Sequence, residues 1–332
     1  MNNAHAPADS PAMPAPNAAP AAPAATTAAP ANAALTRAPR AGIALIAVAA
    51  FGLEMAVSAR YGYVRDELYF LAAGKHLAFG YVDQPALTPL IARAESAFFG
   101  HTVVALRLVP ALGLAALVMI TAAIARLLGA GRTGQLLAAL ATATCVEFIA
   151  AMHELTTTMP DFVFWGLLEL IVVRLVVSRD PRWWVAAGVC AGLAADAKWN
   201  IAFLAGSLAA GFALTGQRRL LASRYLIIGV VLAAGLAMPD VAWQAAHHWP
   251  NLAVFRVLQT QAWSNRATFW LGQVVFTGLV LTPVWIAGLA WAWRRPAGRP
   301  FRPVALGWGG ARGLGGGRGG RTQDPGGNDA IL

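Results

Sequence analysis

The sequence predicts an all-α integral membrane protein, a multi-span helical bundle of about eight spans. Three observations carry that prediction. Hydrophobic residues make up 58% of the 332 positions and charged residues 12%, against about 25% charged in an ordinary soluble domain. Between residues 41 and 293 apolar runs recur at lengths near the roughly 20 residues that carry a helix across a bilayer. The runs are continuous, without the alternation of a barrel strand, so the backbone must satisfy itself as helices. Arginines, finally, stand mostly at the ends of these runs, as retention of Arg and Lys on the cytoplasmic side requires.

Residues 1–40 are almost entirely Ala, Pro, Asn and Thr. Such a stretch cannot bury enough apolar surface to fold alone and is expected to be a disordered cytoplasmic arm. The first apolar run opens at Ala41, just after Arg37 and Arg40, and reads as a signal anchor rather than a cleaved leader. Spans are predicted at 42–59, 103–128, 134–152, 162–178, 184–197, 200–214, 225–243 and 268–292. The pair over 184–214 is short in each member and reads as two spans, a tight hairpin or a re-entrant element. Counted as two spans, it places Arg126, Arg132, Arg174, Arg179, Arg182, Arg218, Arg219, Arg224 and Arg294 on the same side as Arg37 and Arg40. Eight spans are therefore favoured over seven, with the N-terminus cytoplasmic in the plasma (inner) membrane. After the first span, the Leu-, Ala-, Tyr- and Phe-rich stretch through Phe79 is expected to lie as an amphipathic segment in the interface.

The net charge of +10 is topological and no nucleic-acid footprint, since lysine occurs only at Lys75 and Lys198. Cys145 and Cys190 fall inside apolar runs and are expected as free, buried thiols. After about Val304 the chain turns to Gly and Arg: eleven of the 33 glycines lie in residues 305–332. Residues 294–332 are therefore set apart as a cytoplasmic tail. Two readings of it stand, an out-of-frame translation of a GC-rich gene or a natural glycine-rich tail.

With this topology the polar segments fall on one, extracytoplasmic, face: Arg65-Asp66-Glu67, Asp83-Gln84, His153-Glu154, Asp161, Asp196-Ala197-Lys198 and His247-His248. Adjacent carboxylates at a membrane boundary are costly unless solvated or paired, and mark a functional site by default. The plainer reading of Asp66 and Glu67 is a solvated loop start with Arg65 as partner. Asp161 after Pro160 also fits a helix cap, and Lys198 a snorkelling lysine. His247 and His248, with Asp83, are weak candidates for a divalent metal site, and no cofactor is firmly implied.

In chain order, Asp66-Glu67, Tyr81-Val-Asp-Gln-Pro-Ala-Leu87, Thr158-Met-Pro-Asp-Phe-Val-Phe-Trp165 and Gly192-Leu-Ala-Ala-Asp-Ala-Lys-Trp199 resemble the GT-C glycosyltransferases that use polyprenyl-phosphate sugars. They are closest to the family-39 branch, which includes protein O-mannosyltransferases and lipid A aminoarabinose transferases. The resemblance covers about 42–293. It implies an inverting hexosyl- or pentosyltransferase with a polyprenyl-phosphate sugar as donor and a lipid, glycan or protein hydroxyl as acceptor, working among membrane lipids. Asp66 would be the base and Glu67 its brace or an acceptor contact. Asp161, Lys198, Arg65, Asp83 and Gln84 would bind substrate, with Lys198 toward the donor phosphate. The aminoarabinose transferases carry Glu-Lys-Pro-Pro where this chain has Asp83-Gln84-Pro85-Ala86. Family members also commonly continue through more spans, so a C-terminally truncated, inactive transferase is one alternative. A transporter or flippase is the other, on the strength of Glu147 and Glu169 inside spans.

Overall fold

The computed structural model describes residues 38–257, 271–272, 274–275, 278–279 and 281–307. These residues form helices and no strand, apart from an isolated antiparallel bridge between Gly80 and Pro85. The helices are α1 (Arg40–Val57), α2 (Arg65–Lys75), α3 (Leu87–Phe99), α4 (Val103–Leu106), α5 (Leu108–Leu127), α6 (Arg132–Ala143), α7 (Val146–Met152), α8 (Thr158–Ser178), α9 (Trp183–Ala195), α10 (Ile201–Leu214), α11 (Arg224–Ala246) and α12 (Thr282–Arg294). Arg40–Val57, Val103–Leu127 and Arg224–Ala246 are long and apolar enough to cross a membrane. Helix α8 has the length, 21 residues, but carries Asp161, Glu169 and Arg174 along it. Helices α9 and α10 have 13 and 14 residues, about 20 Å of rise each and well short of the hydrocarbon thickness.

The run predicted as one span over 134–152 is two helices. Helices α6 and α7 meet at Thr144-Cys145 with a bend of 55°. The cause is local: Thr142 Oγ1 donates to Ala138 O at 3.0 Å and Thr144 Oγ1 to Leu140 O at 2.9 Å. Back-bonding of this kind competes with the helical ladder and bends the chain. Counted together, the bent pair is a fourth candidate span. The span predicted at 268–292 falls largely outside the described residues, which hold its C-terminal part as α12. Cys145 and Cys190 are buried and not joined in a disulfide, as expected.

Helix α5 is the hub, packed on α1, α6 and α8, while α9 joins α8 to α11. The α9–α11 contact is built on small residues four apart on each helix. A Cβ at Gly188 would run into the backbone of Gly229, one at Gly229 into Trp184 O, and one at Gly192 into Ala233 and Leu236. Without a hydrophobic drive between helices in lipid, such close backbone approach supplies the packing energy. One core cluster sits among α8, α9 and α10, around Leu168, Leu175, Trp184, Leu204 and Phe212. A second joins α1, α2, α3 and α5 through Ala50, Phe70, Ala92 and Leu114. Residues 296–307, where the sequence sets the tail apart, are held against the first cluster by Phe301 and Val304. The remaining tail, 308–332, and the arm over 1–37 lie outside the described residues.

Candidate active site

The polar side chains gather where α1 ends, α5 and α8 begin, and α9 and α11 end. Helix α2 starts after Val64, and Glu67 at its third position reaches back: Val64 N–H donates to Glu67 Oε2 at 2.9 Å. The same carboxylate is gripped by Arg107 at the start of α5, through Nε to Oε1 at 2.8 Å and Nη2 to Oε2 at 2.9 Å. Arg107 also donates to Ser58 O at 2.6 Å and to Gly62 O at 3.0 Å. It lies over the Tyr61 ring at 4.9 Å. Both side chains are sealed, at 1% and 0% exposure. A charge this deep is tolerable only when paired and fully hydrogen-bonded. Four contacts on the guanidinium meet that condition, and they pin the α1–α2 turn and α2 itself to α5.

Asp66 faces the other way. Its side chain is 53% exposed and only loosely paired with Arg65, at 3.6 Å. The two carboxylates adjacent in sequence thus have opposite environments: Asp66 is open to an incoming group, and Glu67 is committed to Arg107.

Around them the 76–86 loop is tied down on three sides. Tyr69 OH donates to Asp83 Oδ1 at 2.6 Å. Burial first, then that hydrogen bond and the Asp83 charge, push the Tyr69 phenol upward, so it stays a proton donor. Tyr81 N–H donates to Gln84 O at 3.0 Å, and the buried Gln84 sits behind it. Gln244 Nε2 on α11 donates to Tyr81 O at 2.8 Å. Gly80 lies directly against Asp240 and Trp243 of α11, where a Cβ would not fit. Leu87 N–H, opening α3, donates to Asp196 O at 3.0 Å.

The third group is Asp161, Lys198 and Asn200. Asp161 in the first turn of α8 is 2% exposed and accepts from Asn200 Nδ2 at 2.8 Å. Lys198 Nζ lies 3.4 Å from Thr158 Oγ1, and its charge acts on the Asp161 carboxylate. Next to it Trp199 Nε1 donates to Asp240 Oδ2 at 2.7 Å. His247 stacks on Trp243 with ring centres 4.0 Å apart, and His248 sits in a left-handed turn at φ 61°. Among the described residues no group of three or more His, Cys, Asp or Glu side chains could hold a metal ion.

Several residues at this end were not singled out by sequence. Arg107 stands within the apolar run over 103–128. Glu54 pairs with His153 Nδ1 at 2.7 Å, and Tyr61 lies 5.3 Å from the His153 ring. Glu95 on α3 accepts Val109 N–H at 2.9 Å, capping the start of α5. Asp240 follows Pro239 inside α11. A shared signal was present: Arg107, Glu54, Glu95 and Asp240 are charged residues within largely apolar stretches, where a polar group must find a partner.

Residues 83–243 match the family described as dolichyl-phosphate-mannose-protein mannosyltransferase. The match opens at Asp83 and runs through Asp161, Lys198 and Asp240, leaving Asp66, Glu67 and α2 just ahead of it. No curated protein and no solved structure matched the chain. This match, over nearly half of the chain, supports a GT-C glycosyltransferase.

Proposed function

We propose that the chain moves a sugar from a polyprenyl-phosphate donor to a hydroxyl of a lipid, glycan or protein acceptor on the extracytoplasmic face, with inversion at the anomeric carbon. The observation that carries this reading is the split of the acid pair. Asp66 is solvent-open on a helix whose neighbouring Glu67 is locked by Arg107, at the bundle end that also holds Asp161 and Lys198. A base must reach its substrate and yet be held still, and this arrangement supplies both. The acceptor oxygen attacks the anomeric carbon while Asp66 takes its proton. The bond from that carbon to the phosphate oxygen breaks, and the polyprenyl phosphate leaves with the electron pair. Lys198 balances the charge left on that phosphate, the main electrostatic task of the reaction. Asp161, fixed by Asn200, orients sugar or acceptor hydroxyls, and Arg65, Asp83 and Gln84 line the approach. Glu67 and Arg107 are positioning residues. The outer-face assignment is supported by the opposite helix ends, where Arg126, Arg174, Arg182 and Arg224 stand, as the positive-inside rule would have it.

The test is transfer of label from polyprenyl-phosphate sugars in membranes carrying the full chain. Asp66→Asn is expected to lower the rate by about 10²–10⁴-fold with donor binding kept, because the side chain is exposed and the fold does not depend on it. An unchanged rate would remove Asp66 from the base role. Solute accumulation without transfer would replace the reading with transport.

A further inference from the structure

At the end of the bundle away from the acids, a cavity of about 500 Å³ opens among α1, α5, α6, α8 and α9. From Arg107 to Arg126 along α5 is roughly 28 Å of helical rise, so the two sites are nearly a hydrocarbon thickness apart. The cavity is lined by Arg126, Arg174, Trp183 and Gln135, with Ile43, Met119 and other apolar side chains. None of its described lining residues is acidic. Arg174 lies 5.3 Å over the Trp183 ring, which holds the guanidinium at the rim. Arg126 Nε is buried and has no hydrogen-bond partner among the described residues. A buried donor of a charged group left without an acceptor carries a substantial penalty, which an anionic oxygen would remove.

We infer that this cavity is a binding site for the phosphate head group of an anionic phospholipid. Arg126 and Arg174 would hold the phosphate, and the apolar wall of Ile43, Met119 and Leu127 would carry the start of an acyl chain. Two guanidiniums without a carboxylate select an anion, and basic recesses between membrane helices take anionic lipid head groups. The apolar lining commits the site to a lipid rather than to free phosphate, which has nothing to place against it.

The experiment is native mass spectrometry of the full chain in detergent, titrated with phosphatidylglycerol, phosphatidylcholine or inorganic phosphate. Retained phosphatidylglycerol at a preference of about tenfold over phosphatidylcholine is expected. That preference should fall to about one in the Arg126→Gln/Arg174→Gln pair, and millimolar inorganic phosphate should not displace the lipid. Ala123→Phe fills the cavity without touching its charge and should lose the bound lipid too. If the double variant does not fold, Arg174→Gln alone, at an exposed rim position, and Ala123→Phe decide the outcome. Equal retention of both lipids, displacement by inorganic phosphate, or undiminished preference in the folded variants would each overturn the inference.

Discussion

The two ends of this bundle treat charge in opposite ways. At the acid end most deep carboxylates meet a side chain from elsewhere in the bundle: Glu67 with Arg107, Glu54 with His153, Asp161 with Asn200, Asp240 with Trp199. At the arginine end Arg126 and Arg174 line an open cavity with no acid among its described lining residues. Paired charges make rigid joints, while unpaired ones of one sign make a place for a ligand. The acid end therefore reads as a braced surface on which Asp66, the proposed base, stays exposed, and the other end as the proposed receptor for something anionic.

The strongest way to break the comparison is to unpair the acid end. Arg107→Leu leaves Glu67 buried without its partner and releases Ser58 O and Gly62 O, and is expected to cost about 3–5 kcal/mol. Glu67→Met together with Arg107→Leu should recover most of that stability, because an apolar pair of similar volume tolerates the site. Thermal unfolding in detergent measures both, and the double variant should fold without regaining transfer. If the two single costs simply add in the double, the pair is not coupled and the joint is no joint.

Next in size is the helix contact that supports both ends. Gly188→Val sets a branched side chain against the Gly229 backbone and should cost about 1–3 kcal/mol by overpacking. Gly235, with open space at its Cβ position, is the control, and Gly235→Ala is expected to leave the unfolding midpoint nearly unchanged. Equal effects at the two glycines would deny the close α9–α11 approach.

Much of this architecture was legible in the sequence, and the reasons it was or was not are specific. Runs of apolar residues marked helices α1, α5, α8, α9, α10 and α11 close to their observed ends, because hydrophobic continuity is a property of the chain itself. The α6–α7 break was missed: Thr142 and Thr144 read as ordinary members of an apolar run, and their back-bonding exists only once the helix does. In the site, Asp66, Asp161 and Lys198 were visible as charges at run ends. What could not be read is which acid of the Asp66-Glu67 pair is free. That depends on Arg107, 40 residues away from Glu67, and no local pattern connects them. Asp240 and Glu54 were hidden for the same reason, each meeting its partner only across helices.

A third contrast is with Glu95, a sealed acid at this end whose described partner is a backbone N–H rather than a cation. It is 1% exposed and accepts Val109 N–H through Oε1, while its Oε2 has no hydrogen-bond partner among the described residues. Burial pushes its carboxyl up from 4.5 to about 8; the Glu67 charge adds to this and the Val109 N–H opposes it. In the folded chain Glu95 is therefore largely protonated at neutral pH, whereas in the unfolded chain it ionises near 4.5. The folded state binds the extra proton between those two values, so stability should fall as pH rises through that window and level off above about 8. Glu95→Gln, which stays neutral, should flatten that slope and be more stable than the wild type above pH 8. Unfolding midpoints across pH 4–9 give the comparison, and a wild-type slope of the opposite sign would mean the carboxylate is the form the fold prefers.

The smallest effect is expected at the edge of the acid end, where pairing gives way to solvent. Tyr69→Phe removes the 2.6 Å bond to Asp83 between two partly exposed side chains, and should cost about 0.5–1.5 kcal/mol at most. Its consequence for transfer should be larger than for folding. Asp83 is one of the residues proposed to line the substrate approach, and Tyr69 is on the same helix as Asp66, so the bond couples the loop to the proposed base. The expected outcome is a raised KM with kcat nearly kept, because an interaction that only shapes the approach contributes equally to ground and transition states. A loss confined to kcat would move Tyr69 inward, into the group that acts on the reacting atoms. The boundary between rigid joint and working surface would then lie one turn of α2 further along than Asp66 marks it.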